Sequence, residues 1–230
     1  MDTSNVAAIN DTHGVAYAWE IWRGAADGSY VDRGNVVASV TLGQNKPLAN
    51  RVGPLLTGPN SIALGLLAIL RADSYIYTYS IGGPSNVIIG RVQADDSVFD
   101  STKYEFLQHG TTNTWLNGIP STSTTNIGAT TANSGGQFGC SVYGSVFYND
   151  YLEMYIILCN IYMSFVKMYI SNTPDGPWSA EYAVTSSGND GLLAGSYGSM
   201  SHPEYGCGRE WYFSVGPNSV FQIFKVTFEY

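Results

Sequence analysis

The sequence is short of charge. Asp, Glu, Lys and Arg make up 12% of its 230 residues, about half of the roughly 25% usual for a soluble domain, which excludes a coiled coil or an ordinary charge-laced helical enzyme. Basic residues are the scarcer kind. Ten Lys and Arg stand against eighteen Asp and Glu, a net charge of −8, so the chain has no basic field for a phosphate backbone or an anionic lipid surface, and neither nucleic acid nor a membrane surface is an expected partner. Long apolar runs are missing as well. The longest, Ile62 to Leu70, contains Gly65 and falls far short of the ~20 residues that cross a bilayer, so no membrane span is expected.

Cysteine and histidine number three each. Cys140, Cys159 and Cys207 allow at most one disulfide and leave an odd thiol. Cys159 lies in the apolar run Met154 to Cys159 and reads as a buried core residue, while Cys140 and Cys207 both sit near Gly and Tyr and can bridge. No pair has the spacing of a zinc knuckle, and the histidines have no metal-ligand spacing among themselves. A Ser-His-Asp arrangement, a P-loop and a dinucleotide fingerprint are all absent, and Gly135-Gly136 lacks the following helix that phosphate capture uses. Residues Met1 to Asn5 carry neither a basic nor an apolar leader region. The expected location is nevertheless extracellular, with the signal peptide outside this sequence. The grounds are low Lys content, wealth in Tyr, Thr, Ser and Gly, and the sequon Asn10-Asp11-Thr12.

What is present is period-2 patterning. Tyr75, Tyr77 and Tyr79 share one face of a segment, and Phe224, Val226, Phe228 and Tyr230 share another, so both read as half-buried strands. The apolar stretch Ala63 to Leu70 reads as a buried strand, and little or no helix is expected. A meander recurs: Leu66 to Arg71, a turn at Ala72-Asp73, Tyr75 to Ser80, Gly82-Gly83-Pro84, then Val87 to Val92. It returns over Val142 to Tyr148, Tyr151 to Leu158 and Phe165 to Ser171, and again over Gly195 to His202, Trp211 to Val215 and Phe221 to Glu229. A weaker fourth copy runs from Val15 through Trp19 and Asn35 to Leu42. Meanders repeated at roughly 40–50 residues predict an all-β β-propeller over 1–230 as a single domain, with four blades countable. A β-sandwich is the alternative. The polar tract at about 108–137, rich in Ser and Thr, predicts a surface insertion anchored by Trp115.

Asn172-Thr-Pro-Asp-Gly-Pro-Trp178-Ser179 after a strand resembles the strand-ending turn of five-bladed propeller glycosidases of the arabinanase and β-xylosidase type. Val87 to Val92 with Asp95, Asp96, Asp100 and Tyr104 to Phe106, Ser201-His202-Pro203, and Gln222 to Phe228 resemble their outer strand and final blade. Within that group the endo-D-arabinanase-like propellers are the most similar, from about residue 60 onward. The resemblance implies an extracellular propeller that acts on or recognises glycans. It also implies an inner-strand aspartate in a first blade, which this sequence does not show, so an incomplete ring with an open sheet edge available for self-association is expected. From the family comes a role for His202 at the axis, in sugar binding or in holding a central Ca2+.

Glycoside hydrolysis needs two carboxyl groups across the scissile bond. Glu20, between Trp19 and Ile21-Trp22, and Glu153, between Leu152 and Met154, are the candidate catalytic acids, because aromatic or apolar surroundings raise a carboxyl pKa toward general-acid use. Glu20 can instead pair with Arg23, and Glu153 can point to solvent. Asp11 beside His13 and Glu204 beside His202 are further candidates. Trp19, Tyr143, Tyr197 and Tyr205 offer rings to sugar C–H faces, with Arg51, Asn60 and His202 for the hydroxyls. The function expected is that of a glycoside-hydrolase-like propeller, the alternative a non-catalytic glycan-binding or surface-assembly protein.

Overall fold

A computed structural model describes residues 2–24, 26–43, 45–141, 143–161, 165–185, 198–216 and 221–229. The chain is all-β, built from four antiparallel sheets, each a blade of the β-propeller class. The β-sandwich alternative is not adopted. By contacts the chain divides into two compact units, Met1–Pro84 with Ile88–Gly128, and Ser85–Val87 with Ala129–Tyr230. No described helix is long and apolar enough to cross a membrane.

In the first unit, β1 (Asp2–Thr3) and β2 (Ala7–Ala8) lie one after the other along one edge of β3 (His13–Trp22), with β4 (Val31–Thr41) and then β5 (Ala49–Thr57) on its other side. The alternation of Val15 and Tyr17, exposed to 0% and 1%, explains why this segment folds as a strand: one face is driven into the core. The second sheet runs β6 (Ala68–Ala72), β7 (Tyr75–Ile81), β8 (Val87–Gln93), β9 (Glu105–Leu107) and β10 (Trp115–Asn117), with β6 at one edge and β10 at the other. Two expectations need correction here. The β7 strand is not half-buried: residues 76–80 are all buried, because neighbouring strands and both faces cover it. The apolar stretch 63–70 is strand only from Ala68. Before it, Gly65 takes a left-handed φ of 65°, and Leu64 N–H donates to Asn35 Oδ1, a bend anchored by a buried amide rather than a ladder.

In the second unit, β11 (Gly144–Asn149), β12 (Met154–Cys159), β13 (Lys167–Ser171) and β14 (Tyr182–Ala183) form one sheet, and β15 (Ser199–Ser201), β16 (Glu210–Val215) and β17 (Gln222–Thr227) the other. Phe147, Ile156, Leu158, Val166, Trp211, Phe213 and Val215 form their shared core, and Phe224, Val226 and Phe228 pack on it. The alternation is therefore as the sequence predicts for Phe224, Val226 and Phe228, while Tyr230 lies outside the described residues. The Asn172–Ser179 turn closes around a left-handed Gly176, φ 91°. A Cβ there would lie 2.7 Å from the ring of Trp178, which is itself buried.

The polar tract is not merely superficial. Ile127 is 2% exposed and Ala129 0%. Gln108 bridges to Ile127 in the first unit, and Thr131 bridges to Trp178 in the second. A few apolar residues and backbone bridges are enough to pin the stretch.

The disulfide also differs from expectation. Cys140 bonds to Cys159, not to Cys207. The reason is local: Ser141 N–H and Oγ–H both donate to Asn160 O, which lays the 138–141 segment against the end of β12. Cys159 is fully buried, as expected. Cys207 is free.

Candidate functional site

In the first unit, the sheet brings several expected site residues together. Glu20 Oε2 lies 2.9 Å from Arg51 Nη1, an ion pair without hydrogen-bond alignment. Arg23 pairs instead with Asp2, at 3.5 Å. Trp19 Nε1–H donates to Asp32 Oδ1, and the backbone N–H of Asn60 donates to Asp32 Oδ2. Gly34 N–H also reaches Asp32 Oδ1. Asp32 thus ties β3, β4 and the Asn60 turn together, a structural use that leaves Trp19 and Asn60 held by the fold. No motif around Asp32 marked it in the sequence. Trp19 packs edge-on against Tyr30, with ring centroids 5.3 Å apart.

Glu153 sits at the tip of the β11–β12 hairpin, exposed, with a left-handed φ of 53°. The apolar surroundings expected for it are not found, because the turn projects it past both neighbours. Its position gives it no apolar pocket in which to act as a general acid. Glu20 and Glu153 belong to different units. Tyr143 precedes β11 beside Gly198, where a Cβ would meet it at 3.5 Å. Tyr197 lies outside the described residues.

In the second unit, His202, Glu204, Tyr205, Tyr212, Phe221 and Ile223 line a pocket of about 570 Å³, within the range of small-ligand sites. Its construction follows from strand register. Trp211, Phe213 and Val215 turn into the core, so Tyr212 and Ser214 face the other way, and the register Tyr212↔Lys225 and Ser214↔Ile223 sets Ile223 beside them. His202 follows β15, and its N–H donates to Tyr212 O at 2.8 Å. A short 3-10 turn at Pro203–Tyr205 then swings Glu204 and Tyr205 over the sheet. His202 Nδ1 is 3.0 Å from Glu204 Oε1, and Nε2 is 2.9 Å from Ser214 Oγ.

Of the expected residues, His202, Glu204 and Tyr205 are brought together here. Tyr212, Phe221 and Ile223 were not anticipated as site residues. One signal existed: with Phe224, Val226 and Phe228 inward, an isoleucine at 223 falls on the outward phase of the strand. Tyr205, Phe221 and Ile223 are 73%, 67% and 64% exposed, an apolar rim beside a His–carboxylate pair.

Ca2+ takes six to eight oxygen ligands. Around His202 both ring nitrogens are engaged and the pocket lining supplies one carboxylate, Glu204. Among the described residues no group of three or more His, Cys, Asp or Glu converges. These residues do not fit a Ca2+ ion.

No protein-family model matches the chain, and no curated protein matches it. Among solved structures, a hydrolase-like protein of Bacteroides ovatus is similar with a TM-score of 0.60 and 15% identity, covering 93% of this chain and 53% of its own. The chain therefore spans about half the length of that protein. An exo-β-1,3-galactanase of Phanerochaete chrysosporium is similar with a TM-score of 0.49 and 12% identity over 91% of this chain and 40% of its own. A GH43_1 enzyme of Xanthomonas citri reaches 0.42 at 10% identity, over 99% and 87%. At such identities the likeness concerns the fold.

Proposed function

We propose that this chain is a glycoside-hydrolase-like propeller that recognises a carbohydrate at the His202–Ile223 pocket without cleaving it. The carrying observation is the set of exposed apolar and aromatic side chains, Tyr205, Phe221 and Ile223, beside the His202–Glu204 pair. Sugar rings present apolar C–H faces that stack on such rings, while their hydroxyls donate to a carboxylate such as Glu204. Hydrolysis asks for a second carboxyl about 5–10 Å away, and the described lining holds Glu204 alone. The Glu20 alternative gains support from a partly sheltered carboxylate, its side chain 22% exposed. Against it, Arg51 already holds that group in an ion pair.

The Cys140–Cys159 bond supports an oxidising, extracellular location. The expected self-association through the edge of β17, which pairs with β16 on one side only among the described strands, is not part of this reading. Lys225 in the middle of that strand is the kind of residue that weakens edge pairing, so a monomer at working concentrations is expected.

The test is titration with arabino-, xylo- and galacto-oligosaccharides, read by calorimetry and by release of reducing sugar. Saturable binding that falls at least about tenfold in Tyr205→Ala and Phe221→Ala, with no sugar released, is the expected result. Binding that ignores both substitutions, or none at all, would reject the site.

A further inference from the structure

A second pocket in the same unit, about 480 Å³, is lined by Asn133, Ser134, Gln137, Phe138, Gly139, Ile161, Lys167 and Glu181. It is separate from the aromatic pocket and shares no residue with it. Its centre is an ammonium that the fold has taken out of water. Lys167 is 8% exposed, and its Nζ lies 2.7 Å from Glu181 Oε2. Among the described residues that carboxylate oxygen is the ammonium's one hydrogen-bond acceptor, and the Phe165 ring lies over it with its centroid 4.8 Å away, so the ammonium still has an N–H to donate.

Glu181 is held from behind. Tyr169 Oη–H donates to its Oε2 at 3.3 Å, and its own N–H donates to Asn133 Oδ1 at 2.7 Å. Tyr169 in turn accepts from Gly139 N–H at 2.7 Å. Burial raises the Tyr169 pKa above its ordinary value, so the phenol keeps the proton this network needs. Glu181 Oε1 accepts from none of the described residues and belongs to a side chain that is 36% exposed.

Gly139 backs the ammonium. A Cβ at this position would stand 2.5 Å from Lys167 Nζ and 3.0 Å from its Cδ, so the glycine lets the ammonium lie directly against the 139 backbone, and a side chain there would push the lysine end aside. A buried ion pair is weak evidence for stability and is often replaceable by apolar residues at no loss. A half-buried ion pair that leaves an ammonium N–H and a carboxylate oxygen facing a pocket is better explained by a ligand.

We infer that this pocket binds the vicinal diol of a small polyol or sugar. A hydroxyl both accepts and donates, so one hydroxyl can accept from Lys167 Nζ–H while donating to Glu181 Oε1. Its neighbour on the next carbon then lies within reach of the exposed Ser134. Phe138 and Ile161 supply the apolar wall for the C–H side. A ligand of either net charge alone would meet a like charge at this pair, which favours a neutral one.

The probe is methyl β-D-galactopyranoside, titrated into the 15N-labelled protein and compared with its fully O-methylated form. Saturable shifts at the Gly139 and Glu181 amides with the first probe and none with the second are expected. In Glu181→Gln and Lys167→Met the affinity read at those amides should fall by at least about tenfold, while Tyr205→Ala leaves it unchanged. Glu181→Gln keeps the shape and serves if Lys167→Met fails to fold. The inference is overturned if those amides do not shift, or if Glu181→Gln binds as the parent does. Shifts confined to the neighbourhood of Tyr205, and lost in Tyr205→Ala, would overturn it while leaving the aromatic pocket standing.

Discussion

Tyr17 and Tyr104, separated by 87 positions in the chain, meet in the core with their phenol oxygens 2.8 Å apart. The direction of that bond can be assigned. Tyr104 Oη–H donates to Val98 O at 2.5 Å, and a phenol has one proton, so Tyr17 is the donor to Tyr104. The two rings meet edge to face at 77°, joining the centre of β3 to the start of β9 beside the Val98 turn.

This asymmetry sets the first prediction. Tyr17→Phe removes a donor and leaves Tyr104 still bonded to Val98, whereas Tyr104→Phe strands both the Tyr17 hydroxyl and the Val98 carbonyl in a dry core. Stranding such groups costs about 1–3 kcal/mol, so denaturant titration should show Tyr104→Phe as the more destabilised of the two; equal losses would contradict the assignment. Burial also raises both phenol pKa values above 10.0. Above that pH the unfolded chain releases phenolic protons that the folded one retains. The unfolded state then binds fewer protons, and stability falls as pH rises. The contribution is complete below pH 10.0 and fades above it. The double Phe variant should show a shallower alkaline loss.

The disulfide sets the second. Peptide mapping under non-reducing conditions should recover Cys140 linked to Cys159, with Cys207 as the free thiol. The bond spans 19 positions, and closing a loop of that size constrains the unfolded chain by about 3 kcal/mol. The paired replacement Cys140→Ser with Cys159→Ser should lose about that much stability, and Cys207→Ser little. A map that recovers Cys140 linked to Cys207 would refute the assignment of partners.

The strands were legible because burial imposes a period of two wherever one face meets a core, as in β3 and β17. It failed for β7, where both faces are covered and polar Thr78 and Ser80 are buried alongside the tyrosines. The disulfide was misread because pairing depends on which segments the fold lays side by side. Cys140 reaches Cys159 through backbone bonds at Ser141 that leave no mark in composition. The His202, Glu204 and Tyr205 cluster was legible, being local in sequence. Its partners Tyr212, Phe221 and Ile223 were not, because only the ladder between β16 and β17 brings them alongside. Lys167 and Glu181 meet for a similar reason, through the return of the chain from β13 past the Trp178 turn.

Cys207 gives the last prediction. Its Sγ–H donates to Asp150 Oδ2 at 2.8 Å, and Asp150 N–H donates back to Cys207 O at 2.8 Å. The hydrogen bond to the carboxylate, with the negative charge behind it, pushes the thiol pKa above its ordinary value. Alkylation proceeds through the thiolate, so near neutral pH Cys207 should react with iodoacetamide more slowly than a free cysteine of equal exposure. Asp150→Asn keeps a polar side chain and removes the charge. The thiolate is then no longer opposed by an anion, and the pH–rate profile should move to lower pH with a faster reaction at every pH below the plateau. Cys207 is only partly buried, so access is not the limit, and a profile identical in the two proteins would show that Asp150 does not govern the thiol.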